Sequence, residues 1–153
     1  MITYQEENWT DVVDEIHILA VDHWKEICAF DREKVVLKPN LVLYEAINKE
    51  KLLHVVTVRD SKELIGYYVS IITPHLHYSN TLVADNDIVF LKKEYRKGMT
   101  GYKLIKFAVE ILKDKVQVIM LGMKVEHAFV NVMERLNFKL TEYKFTMETG
   151  YGC

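Results

Sequence analysis

The chain has 153 residues, half of them apolar and 27% charged, with a formal net charge of −2. That length and balance suit one ordinary globular domain over residues 1–153, able to bury about two thirds of its unfolded surface without help from a metal or disulfide. The charge argues against a general nucleic-acid coat, no apolar run approaches the roughly 20 residues of a membrane span, and the acidic start MITYQEENWTD is not a signal peptide. 

The cysteines, Cys28 and Cys153, have no CxxC spacing, so a reducing cytoplasm is the expected compartment. After an opening strand, WTDVVDEIHILAVDHWKEICAF reads as a helix. Val12, Val13, Ile16, Leu19, Ala20, Trp24 and Ile27 recur at helical spacing, with Thr10 as the expected N-cap. His17 and His23 are expected at its surface or boundary. PNLVLYEAINKEK is a second, shorter helix with Pro39 near its start.

Two β-rich runs, 52–58 and 64–73, flank the polar turn Asp60-Ser61-Lys62-Glu63 and read as an antiparallel hairpin. The turn PHLHYSN leads into the strand TLVADNDIVFL. GYKLIKFAVEILKDK is an amphipathic helix with Leu104, Ile105, Ala108, Ile111 and Leu112 inward. VQVIMLGM is expected as a buried strand, EHAFVNVMERLNF as a helix and KLTEYKFTMET as a final strand. The order β-α-α-β-β-β-α-β-α-β predicts an α/β (α+β) mixed sheet. An antiparallel meander is followed by a β-α-β crossover, right-handed by rule, with helices on both faces.

The chemistry concentrates after DIVFL, in KKEYRKGMTGYKLIKF. Gly98 and Gly101 stand between a strand and a helix, where glycine allows close approach of a ligand to the backbone. The helix start brings unpaired N–H groups and the positive end of its dipole, and Lys92, Lys93, Arg96, Lys97 and Lys103 add charge. In physical terms this is an anion site suited to a pyrophosphate, with neither a Walker nor a dinucleotide fingerprint. A plain strand-to-helix turn is the structural alternative.

EYRKGMTGYKLI resembles the acetyl-CoA loop of the GNAT N-acetyltransferases, usually [Q/R]-x-x-G-x-[G/A]. Arg96 stands at the first position and Gly101 at the last, while Met99 replaces the middle glycine and Gly98 comes one place early. DSKELIGYYVSI resembles the family's second hairpin and VMERLNF its late YEKLGF segment. PHLHY, DIVF and YRKGMTG are most similar to bacteriophage-encoded members, which would make the compartment a host cytoplasm. The resemblance implies a GNAT-like fold and acetyl-CoA as cosubstrate for transfer to the primary amine of an unspecified acceptor, without a metal, and a homodimer is compatible with it.

By position in that family, backbone of Phe90, Leu91 and Lys92 should pair with the pantetheine arm. Backbone N–H groups of Arg96, Lys97, Gly98, Met99, Thr100 and Gly101, with Tyr102 close by, should hold the pyrophosphate, and Asn131 the arm. Asp85 falls where several members place a catalytic glutamate; Asp87, two residues on, should share its face. The slot of the late tyrosine acid, five residues before Phe138, holds Met133, leaving Tyr143 and Tyr95 as substitutes. His75 and His77, one residue apart, point to one face if the strand runs through them, and can remove an ammonium proton or bind the acceptor together with Tyr78. Zinc is an alternative if Asp85 or Asp87 completes the ligand set, and imidazoles hydrogen-bonded at a strand end are the structural one. Two other functions compete: a non-catalytic binding or inhibitor protein on the same fold, and transfer of an acyl group to modified nucleobases.

Overall fold

A computed structural model of the chain describes residues 1–27 and 37–149. Cys28, Cys153 and the predicted end of the first helix lie outside them. The described residues form one sheet in the order β1-β2-β3-β4-β5, from β1 (Ile2–Glu6), β2 (Leu53–Asp60), β3 (Glu63–His75), β4 (Tyr78–Leu91) and β5 (Val118–Met120). The first four pair antiparallel and β5 lies parallel to β4, joined through helix α3 (Thr100–Leu112). The mixed sheet with a meander and a β-α-β crossover is the predicted architecture.

Each face of the sheet has its own helical layer because the strands alternate. Trp9, Val12, Ile16 and Leu19 of α1 (Trp9–Ile27) cover Val55, Tyr67, Val69 and Phe90. Helix α2 (Leu41–Lys49) adds Tyr44 at the margin of that layer. On the other face Leu104, Ile105, Ala108, Val109 and Leu112 of α3 and Met133 of α4 (Val130–Arg135) cover Val56, Val58, Tyr68, Ile72, Ala84 and Leu91.

Helix starts follow local chemistry. Asn8 Oδ1 accepts from the Thr10 N–H (3.1 Å) and hydroxyl (2.9 Å), so Asn8 caps α1 and Thr10 sits in the first turn. Asn40 caps α2 by accepting from the Leu43 N–H at 3.1 Å, directly after Pro39. Gly66 has a steric reason: a Cβ there would stand 2.5 Å from the Phe90 carbonyl oxygen, so β3 and β4 meet at this point only without a side chain.

The C-terminal third departs from expectation. The predicted buried strand over 116–123 is the three-residue β5, whose Val118 and Met120 are 41% and 40% exposed at the edge of the sheet. The predicted helix over 126–138 is a 3-10 turn, Val125–His127, followed by the short α4. The predicted final strand, 139–149, has no regular secondary structure and is exposed throughout. Among the described residues its alternating pattern has no strand paired with it. His23 is a further correction: it lies on the inner face of α1, 6% exposed.

Candidate active site

The site begins with a slip in the β3–β4 ladder. Val69 faces Ile88 while Ser70 faces Asn86, leaving Asp87 as an extra residue in β4, a bulge. Just before it, β4 and β5 pair over Val83–Asp85 and Val118–Met120 alone. The Asn86 Oδ1 then accepts from the Gly122 N–H at 2.6 Å, a side-chain link where the backbone ladder stops. From there to Leu91 the strand keeps β3 on one side and has no strand on the other among the described residues. The sheet therefore opens between β4 and the segment after β5.

Alternation decides what β4 presents to that opening. The Lys92 N–H donates to the Ile65 carbonyl at 2.9 Å, so Lys92 is turned to β3. Leu91, and Val89 two residues before it, turn their backbone groups to the open side. The Leu91 carbonyl is taken by Arg96 Nε at 2.7 Å. Of the backbone expected to meet a pantetheine arm, Leu91 is thus aimed at the opening, while Phe90 and Lys92 serve the ladder with β3. Beside the bulge, Tyr68 Oη and Ser70 Oγ are buried within reach of each other.

The loop from Arg96 to Gly101 closes one end of the opening. Gly98 has φ of 90° and open space where a side chain would stand. Lys103 is the residue whose N–H returns to the Met99 carbonyl, at 2.9 Å. The N–H groups of Thr100, Gly101 and Tyr102 belong to the first turn, where helices have no carbonyl to offer. The Thr100 carbonyl accepts from the Tyr4 hydroxyl at 3.4 Å, and Lys97 is exposed. Arg135 of α4 lies over the Tyr102 ring, 4.8 Å from its centroid, with Met99 Sδ 3.8 Å from its guanidinium.

Arg96 plays a different part from the one expected. Its guanidinium forks onto Glu26 of α1, with the Nη2–Oε2 distance 2.9 Å, and lies over the Phe90 ring. That hydrogen bond holds the Glu26 carboxyl below the usual range against the opposing effect of burial. The Arg96 N–H donates to the Lys93 carbonyl at 3.1 Å. Arg96 therefore ties loop, strand end and α1 together, and the free backbone donors start after it.

The carboxylates lie on the α1/α2 side. Asp85 pairs in register with Ile71, two residues from Val69, and so faces that layer. It is exposed, and its carboxylate makes no hydrogen bond or ion pair among the described residues. Asp87, in the bulge, accepts a hydrogen bond from the Tyr44 hydroxyl. Tyr44 stacks on Trp9 with ring centroids 4.5 Å apart, and burial, then the Asp87 contact, push its phenol above the ordinary range. Next to them, buried His23 has Nδ1 3.0 Å from Tyr67 Oη and its ring stacked on Phe90 at 4.8 Å.

His75 and His77 are elsewhere. They flank Leu76 at the tip of the hairpin, where His75 pairs with Tyr78 and the His77 N–H donates to His75 Nδ1 at 3.1 Å. The His75 and Tyr78 rings are 4.7 Å apart between centroids, and Tyr78 is exposed. His75 is four residues along β3 from Ile71, the partner of Asp85, a span of about 13 Å at strand rise. The expectation that the turn brings both histidines beside Asp85 and Asp87 is corrected: the hairpin is too long. No group of three or more His, Cys, Asp or Glu among the described residues is arranged to hold a metal ion.

The remaining positions are plain. Met133 is buried in the core against α3, Asn131 is exposed on α4, and Tyr143 is exposed in the tail. Tyr95 donates its hydroxyl to Asp60 at 3.2 Å. Glu26, Tyr44, Asn86 and Arg135 enter the site without having been singled out in the sequence. Only Arg135 carried a signal there, as the basic residue inside VMERLNF.

The opened sheet and the loop leading into α3 are similar in fold to solved GNAT acetyltransferase structures over nearly the full chain. A transcriptional regulator from Bacillus halodurans C-125 is similar with a TM-score of 0.72 at 21% identity, covering 97% of this chain and 99% of that one. An acetyltransferase of Trypanosoma brucei is similar at 0.70 and 15% identity, with the same coverages of 97% and 99%. AAC(6')-Iy in complex with the bisubstrate analog CoA-S-monomethyl-acetylneamine is similar at 0.70 and 16% identity, covering 97% of each chain. No protein-family model and no curated protein matches the sequence. No helix among the described residues is long and apolar enough to cross a membrane.

Proposed function

We propose that the chain, as one domain over 1–153, is an acetyl-CoA-dependent N-acetyltransferase that acts on a primary amine in the cytoplasm. The observation that carries it is the opening of the sheet at the Asp87 bulge, with the Gly98–Tyr102 turn at its end. Acetyl-CoA would supply an acetyl thioester. The open space at Gly98, where the backbone can approach a ligand closely, fits a ligand lying there. The similarity to AAC(6')-Iy with its CoA-bearing ligand supports the same placement.

The residues divide the work by position. Backbone N–H groups of Gly98, Met99, Thr100, Gly101 and Tyr102, with Lys97 and Arg135, hold the pyrophosphate. Val89 and Leu91 offer backbone groups to the arm as an added strand would, with Leu91 N–H a donor for the acyl oxygen; Asn131 approaches from α4. Asp85 takes the proton of the attacking amine. It is the better placed of the two because Asp87 is already engaged by Tyr44. The His75–Tyr78 tip is left to contact the distal part of a large acceptor. With Met133 in the tyrosine slot the CoA sulfur leaves as thiolate, whose modest basicity permits it. The likeness to bacteriophage-encoded members rests on three short segments, and this mechanism does not depend on it.

Met133 also favours a second reading, a binding protein that keeps the fold without the reaction. Calorimetry with acetyl-CoA and thiol release against an amine panel separate the two. The enzyme binds acetyl-CoA, gains roughly 3 kcal/mol of stability at a hundredfold excess over Kd, and releases thiol in the presence of its amine. Asp85→Asn keeps acetyl-CoA binding and lowers kcat by 100-fold or more. Absence of acetyl-CoA binding removes the proposal, and an unchanged kcat in Asp85→Asn removes the assigned base.

A further inference from the structure

The carbonyl that an incoming arm would use at the end of β4 is already occupied. The Leu91 carbonyl points to the open side of the strand, and Arg96 Nε stands 2.7 Å from it on that same side. An added strand would bring its own N–H to this place. A carbonyl can accept twice, yet a guanidinium held at that distance stands where the arm would lie.

Arg96 is held there from behind. Its two terminal nitrogens fork onto the Glu26 carboxylate, Nη2 to Oε2 at 2.9 Å, and its charge lies 5.5 Å from the centroid of the Phe90 ring. The Glu26 side chain is 13% exposed, so this bidentate pair is partly shielded from water and stronger than a pair at open surface. Glu26 is anchored in turn: His127 Nε2 donates to its backbone carbonyl at 3.1 Å. His127 closes the 3-10 turn after β5, on the other lip of the opening. Leu91, Arg96, Glu26 and His127 thus form one run of hydrogen bonds from the β4 lip, across the C-terminal end of α1, to the segment after β5. The contacts join residues seventy and a hundred and one positions apart. Each lies at the end of an element or in a loop, where a bond can be exchanged without unfolding a helix or a ladder.

We propose that this run is a latch across the opening, that Arg96 must leave the Leu91 carbonyl before the arm of coenzyme A can take it, and that Glu26 and His127 set cofactor affinity through it. The inference rests on the acetyltransferase reading. Opening the latch costs free energy that the ligand must supply, so apparent affinity falls by the fraction of chains in which the latch is open. An arm that takes the Leu91 carbonyl also deprives Glu26 of its cation, so occupancy of the opening is felt at the end of α1.

Calorimetric titration of the full chain with coenzyme A distinguishes a latch from a supporting scaffold, because the two require opposite signs. Glu26→Ala frees the guanidinium and is expected to tighten binding roughly fivefold; His127→Phe removes only the far anchor and is expected to tighten it about twofold. The double substitution is expected to gain no more than Glu26→Ala alone, since both act through one run of contacts. In stopped flow, the wild-type association rate is expected to level off with coenzyme A concentration, limited by opening, and to keep rising in Glu26→Ala. Glu26→Gln, similar in shape and without charge, gives the same comparison if the alanine variant does not fold. Equal or weaker binding by the folded variants, beside a wild type that binds, overturns the latch and leaves the acetyltransferase reading standing. Failure of wild type and variants alike to bind coenzyme A removes both.

Discussion

His23 makes the fold sensitive to mild acid in a calculable way. Burial on the inner face of α1 lowers its pKa from 6.5 to about 4, with Glu26 opposing that effect and Arg96 reinforcing it. The unfolded chain binds this proton from about pH 6.5 downward, whereas the folded chain resists it to about pH 4. Stability therefore rises with pH across that window, is undiminished above it, and is lost as pH falls. The loss from this residue is roughly 2 kcal/mol at pH 5 and about 3 kcal/mol at pH 4, taking 1.4 kcal/mol per unit. Urea unfolding followed by the fluorescence of Trp9 and Trp24, at pH 8 and pH 5, measures the total. His23→Gln isolates the share of His23, since its amide can still accept from Tyr67 without acquiring charge. Between the two pH values the variant is expected to lose about 2 kcal/mol less than wild type. Equal losses would refute the reasoning, because every other titrating group, including buried His54, is common to both proteins.

Three further outcomes follow from contacts. Gly66→Val drives a side chain into the Phe90 carbonyl, so it should destabilise by roughly 2–3 kcal/mol in urea and weaken acetyl-CoA binding through the displaced end of β4. Arg59→Met removes the guanidinium that bonds Glu7 at 2.9 Å and Glu15 at 2.8 Å, and should cost about 2–3 kcal/mol by leaving Glu7 partly buried without its cation. Asn86→Ala deletes the acceptor for the Gly122 N–H; about 1 kcal/mol of stability should go, with a larger fractional loss in acetyl-CoA affinity measured by calorimetry than the thermal shift suggests.

The composition and periodicity of the chain determined most of the architecture. Val12, Ile16 and Leu19 at helical spacing, and the two β-rich runs around Asp60–Glu63, needed only local rules because helix and hairpin contacts are close in sequence. The glycines after DIVFL marked the loop for the same reason. What the tertiary structure alone decided depends on register and on distant partners. The slip that makes Asp87 a bulge, the strand length that carries His75 about 13 Å from Asp85, and the capture of Arg96 by Glu26, seventy positions away, leave no periodic trace. Nor could the pattern of residues 139–149 say whether a strand forms, since a strand exists only where another offers its edge. The sequence supplied the alternation, and the fold decided that Tyr143, Phe145 and Met147 should meet solvent.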